Sequence, residues 1–195
     1  MPVLIIADHN NTVLNSATCH TIMAGLKIAK SVNILVAGLN IDSVVEEVKL
    51  LQGVGKVLTV DSPLYEYGLA ENMTELVLSF VDEYSHIFAP DTLMGQGVIP
   101  RLSALKDCGA IANICEVIDK STFKKLIYAG SAIATEKSSD NIIFATVRSV
   151  SFEAVKKGNE AVVEKVKVTQ DMGLTTCISL KKIQIVVSVL KRQKQ

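Results

Sequence analysis

The chain has 195 residues, a length that suits one domain or one domain with a tail. Hydrophobic residues make up 49% of it and aromatic residues only 5%, which is typical of a sheet whose strands are buried on both faces. Basic and acidic residues number 20 each, so the net charge gives no argument for binding nucleic acid or an anionic membrane. No apolar run reaches the roughly 20 residues of a membrane span, and no signal or transit peptide is recognisable. We therefore expect an intracellular protein without membrane insertion.

The first half of the chain alternates predicted strands and helices. Aliphatic runs predict strands at 3–7, 33–38, 56–60 and 86–89. Apolar periodicity predicts helices at 41–51, 69–84 and 98–106, preceded by one that is capped by Ser16 or Thr18 and runs to residue 30. In the helix at 69–84, Asn72 is predicted on the solvent face together with three acidic residues. This alternation predicts βαβ units and a parallel sheet.

After Gly109 the pattern changes. Strand-like runs at 114–118, 123–129, 132–136 and 142–148 follow one another with only short polar turns between them. Strands without intervening helices predict an antiparallel extension or edge. A short segment then ends at Gly158, and an alternating strand or arm begins at Glu160.

The stretch MGQGVIP, residues 94–100, lies between a predicted strand and a predicted helix and resembles a phosphate-binding loop. A dinucleotide fingerprint needs a third glycine where this chain has Pro100, and the Gly-Lys-Ser/Thr of a Walker loop is absent. A helix N-terminus still attracts anions, so Gly95 and Gly97 are weak candidates for cofactor binding. A structural turn is the favoured interpretation.

No catalytic residue and no metal site is predicted. Asp8-His9 and Cys19-His20 contain residue types that bind metals, but neither pair has a known ligand spacing, and polar residues at a strand end are the favoured interpretation. His86 is interpreted as a hydrogen-bonded surface or core histidine. The four cysteines form no C-x-x-C pair, which favours reduced thiols.

The segment DTLMGQGVIPRLSALKD, residues 91–107, resembles the N-terminal domain of the α subunit of electron-transfer flavoproteins. The family has Gly-Lys-Asn, then Pro-Arg and an Ala-Ala-Leu-x-Asp ending. This chain keeps six of those residues and has Gln96 and Gly97 in the Lys-Asn places; the six are Gly95, Pro100, Arg101, Ala104, Leu105 and Asp107. Further matches at 4–9, 36–38, 54–57, 65–72, 84–87, 127–135 and 146–152 extend the resemblance over roughly residues 1–179.

The resemblance implies an α/β three-layer sandwich with a mainly parallel sheet, adenine-nucleotide-α-hydrolase-like, plus antiparallel strands in the second half. It implies an α N-terminal domain at 1–165, followed at 166–195 by an arm and the start of a flavin domain. Members pair with a β subunit and carry electrons from acyl-CoA-type dehydrogenases to the respiratory chain, so the chain is expected to be a carrier subunit rather than an enzyme. Arg101, Tyr128 and Arg148 are the candidates for polar interface positions, although a structural salt bridge is the favoured interpretation for each.

In the family, FAD is held mainly by a second domain of the α subunit, and AMP by the β subunit. This chain has Val189-Leu190-Lys191-Arg192 where the family has its flavin-binding glycine loop, and the preceding Arg-Pro-Glu-Leu turn is missing. We therefore expect a truncated α subunit that acts as a scaffold and binds no FAD alone. The alternatives are an adenine-nucleotide-binding protein of the same fold, and self-association through residues 183–190. A bacterial cytoplasm, or a mitochondrial matrix in a eukaryote, is the expected location.

Overall fold

A computed structural model describes residues 2–166, which contain four α-helices and a nine-stranded sheet. The strands are β1 Val3–Ile6, β2 Val32–Gly38, β3 Val54–Asp61, β4 His86–Pro90, β5 Ala110–Val117, β6 Thr122–Ile127, β7 Ala132–Lys137, β8 Ile143–Val147 and β9 Val162–Lys165. The helices are α1 Ser16–Leu26, α2 Asp42–Lys49, α3 Ala70–Leu78 and α4 Leu93–Leu105. None of the helices in this part of the chain is long and apolar enough to cross a membrane.

The strand order is β7-β6-β5-β8-β4-β1-β2-β3-β9. From β5 to β9 in this order, every neighbouring pair is parallel, and the pairs β5–β6 and β6–β7 are antiparallel. The predicted mainly parallel sheet with an antiparallel extension is therefore confirmed. The extension is smaller than the sequence suggested, because β8 returns to the parallel part and lies between β4 and β5.

Helices cover both faces of the sheet and form two cores. Alternate residues of β1 show the division, because Val3 and Ile5 belong to one core and Leu4 and Ile6 to the other. The first core includes side chains of α1 and α2 such as Ile22, Val44 and Val48, all fully buried. The second includes side chains of α3 and α4, among them Leu76, Val98 and Leu102. This is the predicted three-layer sandwich.

Several helix ends differ from the prediction. The cap of α1 is Asn15, whose side chain accepts a hydrogen bond from Ala17 N at 3.0 Å, rather than Ser16 or Thr18. Helix α3 ends at Leu78 because a separate 3-10 turn follows at Val81–Glu83. The prediction that Asn72 faces solvent is wrong. It is 2% exposed, and its side chain donates to Leu64 O at 3.0 Å.

Strand β5 bends where the antiparallel extension begins. Its register with β8 shifts between Ile111 and Ile114, and Asn113 between them has a left-handed φ of 59°. The extension then folds back on the sheet, since Phe123 of β6 packs edge-on against Phe88 of β4 with ring centroids 6.1 Å apart. His86 is buried there as interpreted; its Nε2 donates to a carbonyl of the β5–β6 turn.

The arm predicted from Glu160 is seen as β9, which pairs with β3 at the edge of the described sheet. Its side chains are exposed, including Val162 at 66%. The predicted tail, including 183–190 and the segment compared with the flavin-binding loop, lies outside the described residues.

Candidate functional site

Within the described residues, a concavity lies where the chain's connections diverge to opposite faces of the sheet. After β1 the chain enters α1 on one face, and after the neighbouring strand β4 it enters α4 on the other face. Open α/β sheets bind ligands at such points, outside the carboxyl ends of the strands. A crevice of about 810 Å³, which we call the strand-end crevice, opens here between the β1–α1 loop, the segment after β3 and the start of α4. This volume lies within the range of small-molecule sites.

On the β1–α1 side of the crevice, asparagine side chains hydrogen-bond to neighbouring groups of the same loop and helix. Asn10 Oδ1 accepts hydrogen bonds from the backbone N–H groups of Thr12 and Val13, at 3.1 and 2.8 Å. Asn15 caps α1 and also donates to Asp8 Oδ2 at 2.7 Å. These side chains use donors that a phosphate at this helix would otherwise take.

Asn11 ties the loop to two other segments. It has a left-handed φ of 71°, its Nδ2 donates to Glu66 O at 2.7 Å, and its Oδ1 accepts from Leu39 N at 3.2 Å. Gly38 leaves room for this arrangement, because a Cβ there would lie 2.2 Å from Asn11 Oδ1. The loop is therefore held in place by packing and hydrogen bonds before any ligand binds.

His9 lines the crevice but takes part in the loop. Its Nδ1 accepts a hydrogen bond from Asn11 N at 3.1 Å, so the proton of the neutral ring is on Nε2. Burial lowers the pKa of His9, and the nearby Asp8 carboxylate only partly opposes this. A neutral, hydrogen-bonded imidazole fits the polar strand-end role that the sequence favoured for Asp8-His9.

The start of α4 is built differently. Thr92 is the N-cap residue before Leu93, and its side chain makes no capping hydrogen bond. Gly95 and Gly97 lie inside the helix rather than in a loop before it, so the helix begins five residues earlier than predicted. A Cβ on Gly95 would lie 2.0 Å from Pro90 O, so this glycine allows the helix to pack against the end of β4. At Gly97 the nearest atom to such a Cβ is Ala70 Cβ, at 3.1 Å.

Two hydroxyl groups of the crevice lack partners. Within residues 2–166, the buried Tyr65 OH and Thr92 Oγ1 have no hydrogen-bond partner, and both residues line the crevice. Tyr65 is only 1% exposed, and burial raises the pKa of its phenol. A buried hydroxyl without a partner costs about 1–3 kcal/mol, so two in one crevice mark a place where polar groups are available.

The charged side chains that line the crevice in the described chain are acidic. Asp8 and Glu66 are half-buried carboxylates, and in the described part of the chain neither forms an ion pair. The described lining includes no Lys or Arg. The remaining wall is largely apolar and includes Leu69, Met73, Leu93 and Met94. The crevice thus combines carboxylates, an uncapped helix N-terminus and an apolar wall.

Comparisons with known proteins identify the family of this chain. A family model described as "Electron transfer flavoprotein domain" matches residues 3–171. The chain belongs to the electron transfer flavoprotein family. It is 42% identical over 174 residues to the electron transfer flavoprotein subunit alpha of Pseudomonas aeruginosa. The aligned region covers 89% of this chain and 56% of the relative. The corresponding subunit of Paracoccus denitrificans is 34% identical over 179 residues, covering 92% and 58%.

These relatives identify the chain as the N-terminal domain of the α-subunit type, as the sequence predicted. The chain spans little more than half the length of these curated relatives. A relative from Dictyostelium discoideum, 38% identical over 77% of this chain and 44% of its own length, is named as a mitochondrial α subunit. Members of this family are electron carriers rather than catalysts, and the full-length family binds FAD.

The described residues do not fit the FAD of the electron transfer flavoproteins. A dinucleotide site needs glycines at the first strand–helix turn so that the backbone can approach the pyrophosphate. Here that turn is Asp8-His9-Asn10-Asn11, and asparagine side chains occupy its donors. Residues 2–166 therefore offer no pyrophosphate cradle at this helix.

The three interface candidates lie on separate elements. Arg101 of α4 forms an ion pair with Glu71 of α3 at 2.5 Å, which is the structural salt bridge favoured for it. Tyr128 is 79% exposed, with a left-handed φ of 51°, in the turn between β6 and β7. Arg148 follows β8, is half-buried, and donates its backbone N–H to Ile114 O at 3.0 Å. No hydrogen bond or ion pair in the described chain joins any two of the three.

Sequence reasoning missed the polar groups of the crevice. Tyr65 was noted only for family resemblance, and Thr92 was not singled out, because nothing in the sequence says that a hydroxyl lacks a partner. The signal that could have found the crevice was topological, since the crevice lies after β1 and β4, the strands that flank the topological switch point of the sheet. Residues 2–166 contain no group of three His, Cys, Asp or Glu that could hold a metal ion, and the interpretation of Asp8-His9 and Cys19-His20 as polar strand-end residues stays a prediction.

Proposed function

We propose that this chain is the scaffold part of an electron-transfer flavoprotein α subunit and pairs with a β subunit. The family match over residues 3–171 carries the proposal, because it includes nearly all of the described domain. In such a complex the domain would position the flavin-bearing parts for electron transfer from acyl-CoA-type dehydrogenases toward the respiratory chain. A bacterial cytoplasm or a mitochondrial matrix would be the matching location.

The exposed apolar side chains of the second half support pairing. Tyr128 in the β6–β7 turn and Ile133 in β7 are 79% and 63% exposed, and Val150 is 79% exposed. Interface cores are depleted in charged residues and enriched in aromatic ones, so exposed apolar side chains of this kind suit an interface. Arg148 has no ion-pair partner within residues 2–166, so its guanidinium could pair across an interface.

Co-expression with the β subunit encoded by the same organism tests the proposal. We expect the two chains to co-purify and to elute together from gel filtration at the mass of a heterodimer. Light scattering distinguishes this complex from a homodimer of the chain, which is the outcome that self-association predicts. Separate elution of the two chains would rule out stable pairing.

Single substitutions locate the interface. Tyr128→Ala and Arg148→Ala should weaken pairing by tenfold or more if they are central to it, since interface hot spots cost about 2 kcal/mol. Arg101→Ala should have a smaller effect because Glu71 already pairs with this side chain. Lys30→Ala, at an exposed position before β2, is the control. Equal affinities for all four variants would place the interface elsewhere.

Flavin absorbance tests the scaffold role separately. We expect the purified chain to be colourless and to stay so after incubation with FAD and desalting, because the turn before α1 offers no pyrophosphate cradle and the described crevice lining has no Lys or Arg. A protein that retains stoichiometric flavin would contradict this part of the proposal. Pairing with the β subunit would be unaffected by that result.

An adenine-nucleotide-binding role remains the second candidate, favoured by the strand-end crevice at the topological switch point. The charges oppose it, because a phosphate would meet Asp8 and Glu66 without a basic side chain in the described lining. Calorimetry with AMP and ATP tests it, and saturable binding at the crevice would support it.

A further inference from the structure

We propose that the strand-end crevice binds a small zwitterion of the α-amino-acid class, with its carboxylate at the N-terminus of α4 and its ammonium at Asp8. The proposal rests on two unpartnered buried hydroxyls and two unpaired carboxylates that line the same crevice. It does not depend on pairing with a β subunit, since the crevice is formed by one chain. No function of this crevice follows from the scaffold role.

The α4 side suits a single negative charge. The first N–H groups of a helix have no intrahelical partner and carry a partial positive charge. No side chain caps α4, and Thr92 Oγ1 next to it has no partner in the described chain. One carboxylate could accept hydrogen bonds from both sources.

The β1 side suits a positive charge. Asp8 Oδ2 accepts one hydrogen bond from Asn15, and no cation pairs with either Asp8 or Glu66 in residues 2–166. Half-buried carboxylates are best satisfied by a charged donor. An ammonium group supplies up to three hydrogen bonds and the opposite charge.

The spacing of the two sides selects the ligand class. Asp8 follows β1 and α4 follows β4, and these strands are direct neighbours. Neighbouring strands are about 4.8 Å apart, so a ligand that reaches both strand ends carries its two charged groups close together. An α-amino acid carries them on one carbon. A phosphate dianion is disfavoured because no basic side chain is present in the described lining.

The buried Tyr65 hydroxyl gives the ligand a further polar contact. It is unpartnered, and its ring belongs to the core that includes Met73. The hydroxyl is covered in the structure, so a small rearrangement of the crevice wall must accompany contact. The apolar wall at Leu69, Met73 and Met94 would then hold an aliphatic ligand side chain.

The test uses the full chain, labelled with ¹⁵N, and L-leucine as the probe. We expect saturable shifts of the amide signals of Asp8, Thr92 and Gly95. 4-Methylpentanoate lacks the ammonium group and isopentylamine lacks the carboxylate, so each should bind at least about tenfold more weakly. No saturable shift with leucine, equal binding of either half-ligand, or tighter binding of AMP would overturn the proposal.

Variants separate charge from fold. Asp8→Asn keeps an oxygen that can accept from Asn15 and should weaken leucine binding by about tenfold. Glu66→Gln should weaken it less, and Tyr65→Phe by a few-fold. Glu153→Gln, at an exposed position outside the crevice lining, is the matched control and should bind like the original chain. Unchanged binding in both Asp8→Asn and Glu66→Gln, with unchanged unfolding transitions, would contradict the assignment.

Discussion

Helices α1 and α4 begin at the same edge of the sheet, after neighbouring strands, but their N-termini are built in opposite ways. At α1, Asn10 and Asn15 satisfy backbone donors through side-chain oxygens. At α4 no side chain caps the helix, and Gly95 brings its backbone against β4. The first end is completed by the chain itself, whereas the second leaves polar groups available. This difference explains why a glycine pair can resemble a phosphate loop and still have a packing role.

The largest effect should come from Gly95→Ala. The new Cβ would lie 2.0 Å from Pro90 O, and a backbone oxygen cannot move aside without shifting the end of β4. We expect a loss of roughly 3 kcal/mol or more of unfolding free energy, despite the better helix propensity of alanine. Chemical denaturation followed by circular dichroism measures it.

Gly97→Ala is the matched control for this comparison. Its Cβ would meet Ala70 Cβ at 3.1 Å, which a small shift of α3 can relieve, while alanine favours the helix by about 1 kcal/mol. We expect a change within about 1 kcal/mol of zero. Equal losses at the two glycines would show that close packing against β4 is not the reason for Gly95.

Gly38→Ala probes the other side of the crevice. A Cβ there would lie 2.2 Å from Asn11 Oδ1 and 2.6 Å from Ile41 Cγ2. These are side-chain atoms, but Asn11 is held by hydrogen bonds to Leu39 N and Glu66 O. We expect a loss of about 2 kcal/mol, smaller than at Gly95. The same denaturation experiment measures it, and an unchanged midpoint would mean that the Asn11 bridge yields easily.

The difference between the two helix ends was only partly accessible from the sequence. Aliphatic runs and helical periodicity predicted the parallel strands and the layers, because those signals come from burial on one or both faces. The start of α4 was missed because two glycines and Pro100 weaken helix propensity, and close packing against Pro90 overrides this. Asn72 was placed in solvent because the periodicity argument does not foresee its bond to Leu64 O.

The second half was harder to predict for a physical reason. The run of strands after Gly109 suggested one antiparallel unit, yet β8 pairs with β4 and β5 in the parallel sheet. Pairing of this kind depends on long-range contacts rather than on turn composition. The bend at Asn113, in the left-handed region, redirects the chain, and asparagine is one of the few residues that adopt that conformation readily.

A smaller effect is expected at the cap of α1. Asn15→Ala removes the oxygen that accepts from Ala17 N and the amide that donates to Asp8 Oδ2. We expect a loss of about 1 kcal/mol, typical of a removed N-cap. Thr92→Ala is the counterpart at α4 and should cost much less, since the Thr92 hydroxyl makes no capping bond. Similar losses in thermal unfolding would contradict the contrast between the two ends.

Acidification should lower the free energy of unfolding through His9, in the loop before α1. Burial lowers the pKa of His9, and also that of the buried His86, from the ordinary 6.5. Between the lowered pKa and 6.5 the unfolded chain binds protons that the folded chain does not. The contribution of the neutral histidines to the free energy of unfolding is therefore complete above about pH 6.5. It is lost as pH falls from about 6.5 to the lowered pKa values. His9→Gln should make the free energy of unfolding less dependent on pH between 7 and 5, and an unchanged slope would contradict this.

The smallest effect on stability should come from Tyr65→Phe. Tyr84 is the matched case, because it is similarly buried but its OH accepts a hydrogen bond from Asn33 Nδ2 at 3.1 Å. Tyr84→Phe should cost about 1 kcal/mol, whereas Tyr65→Phe removes a hydroxyl without a partner in the described chain and should be neutral or stabilising. A loss at Tyr65 as large as at Tyr84 would mean that its hydroxyl is already satisfied. Unchanged stability of Tyr65→Phe together with weaker leucine binding would show that the hydroxyl contacts a ligand and has no role in folding. The uncapped start of α4 raises the same question for the groups around it.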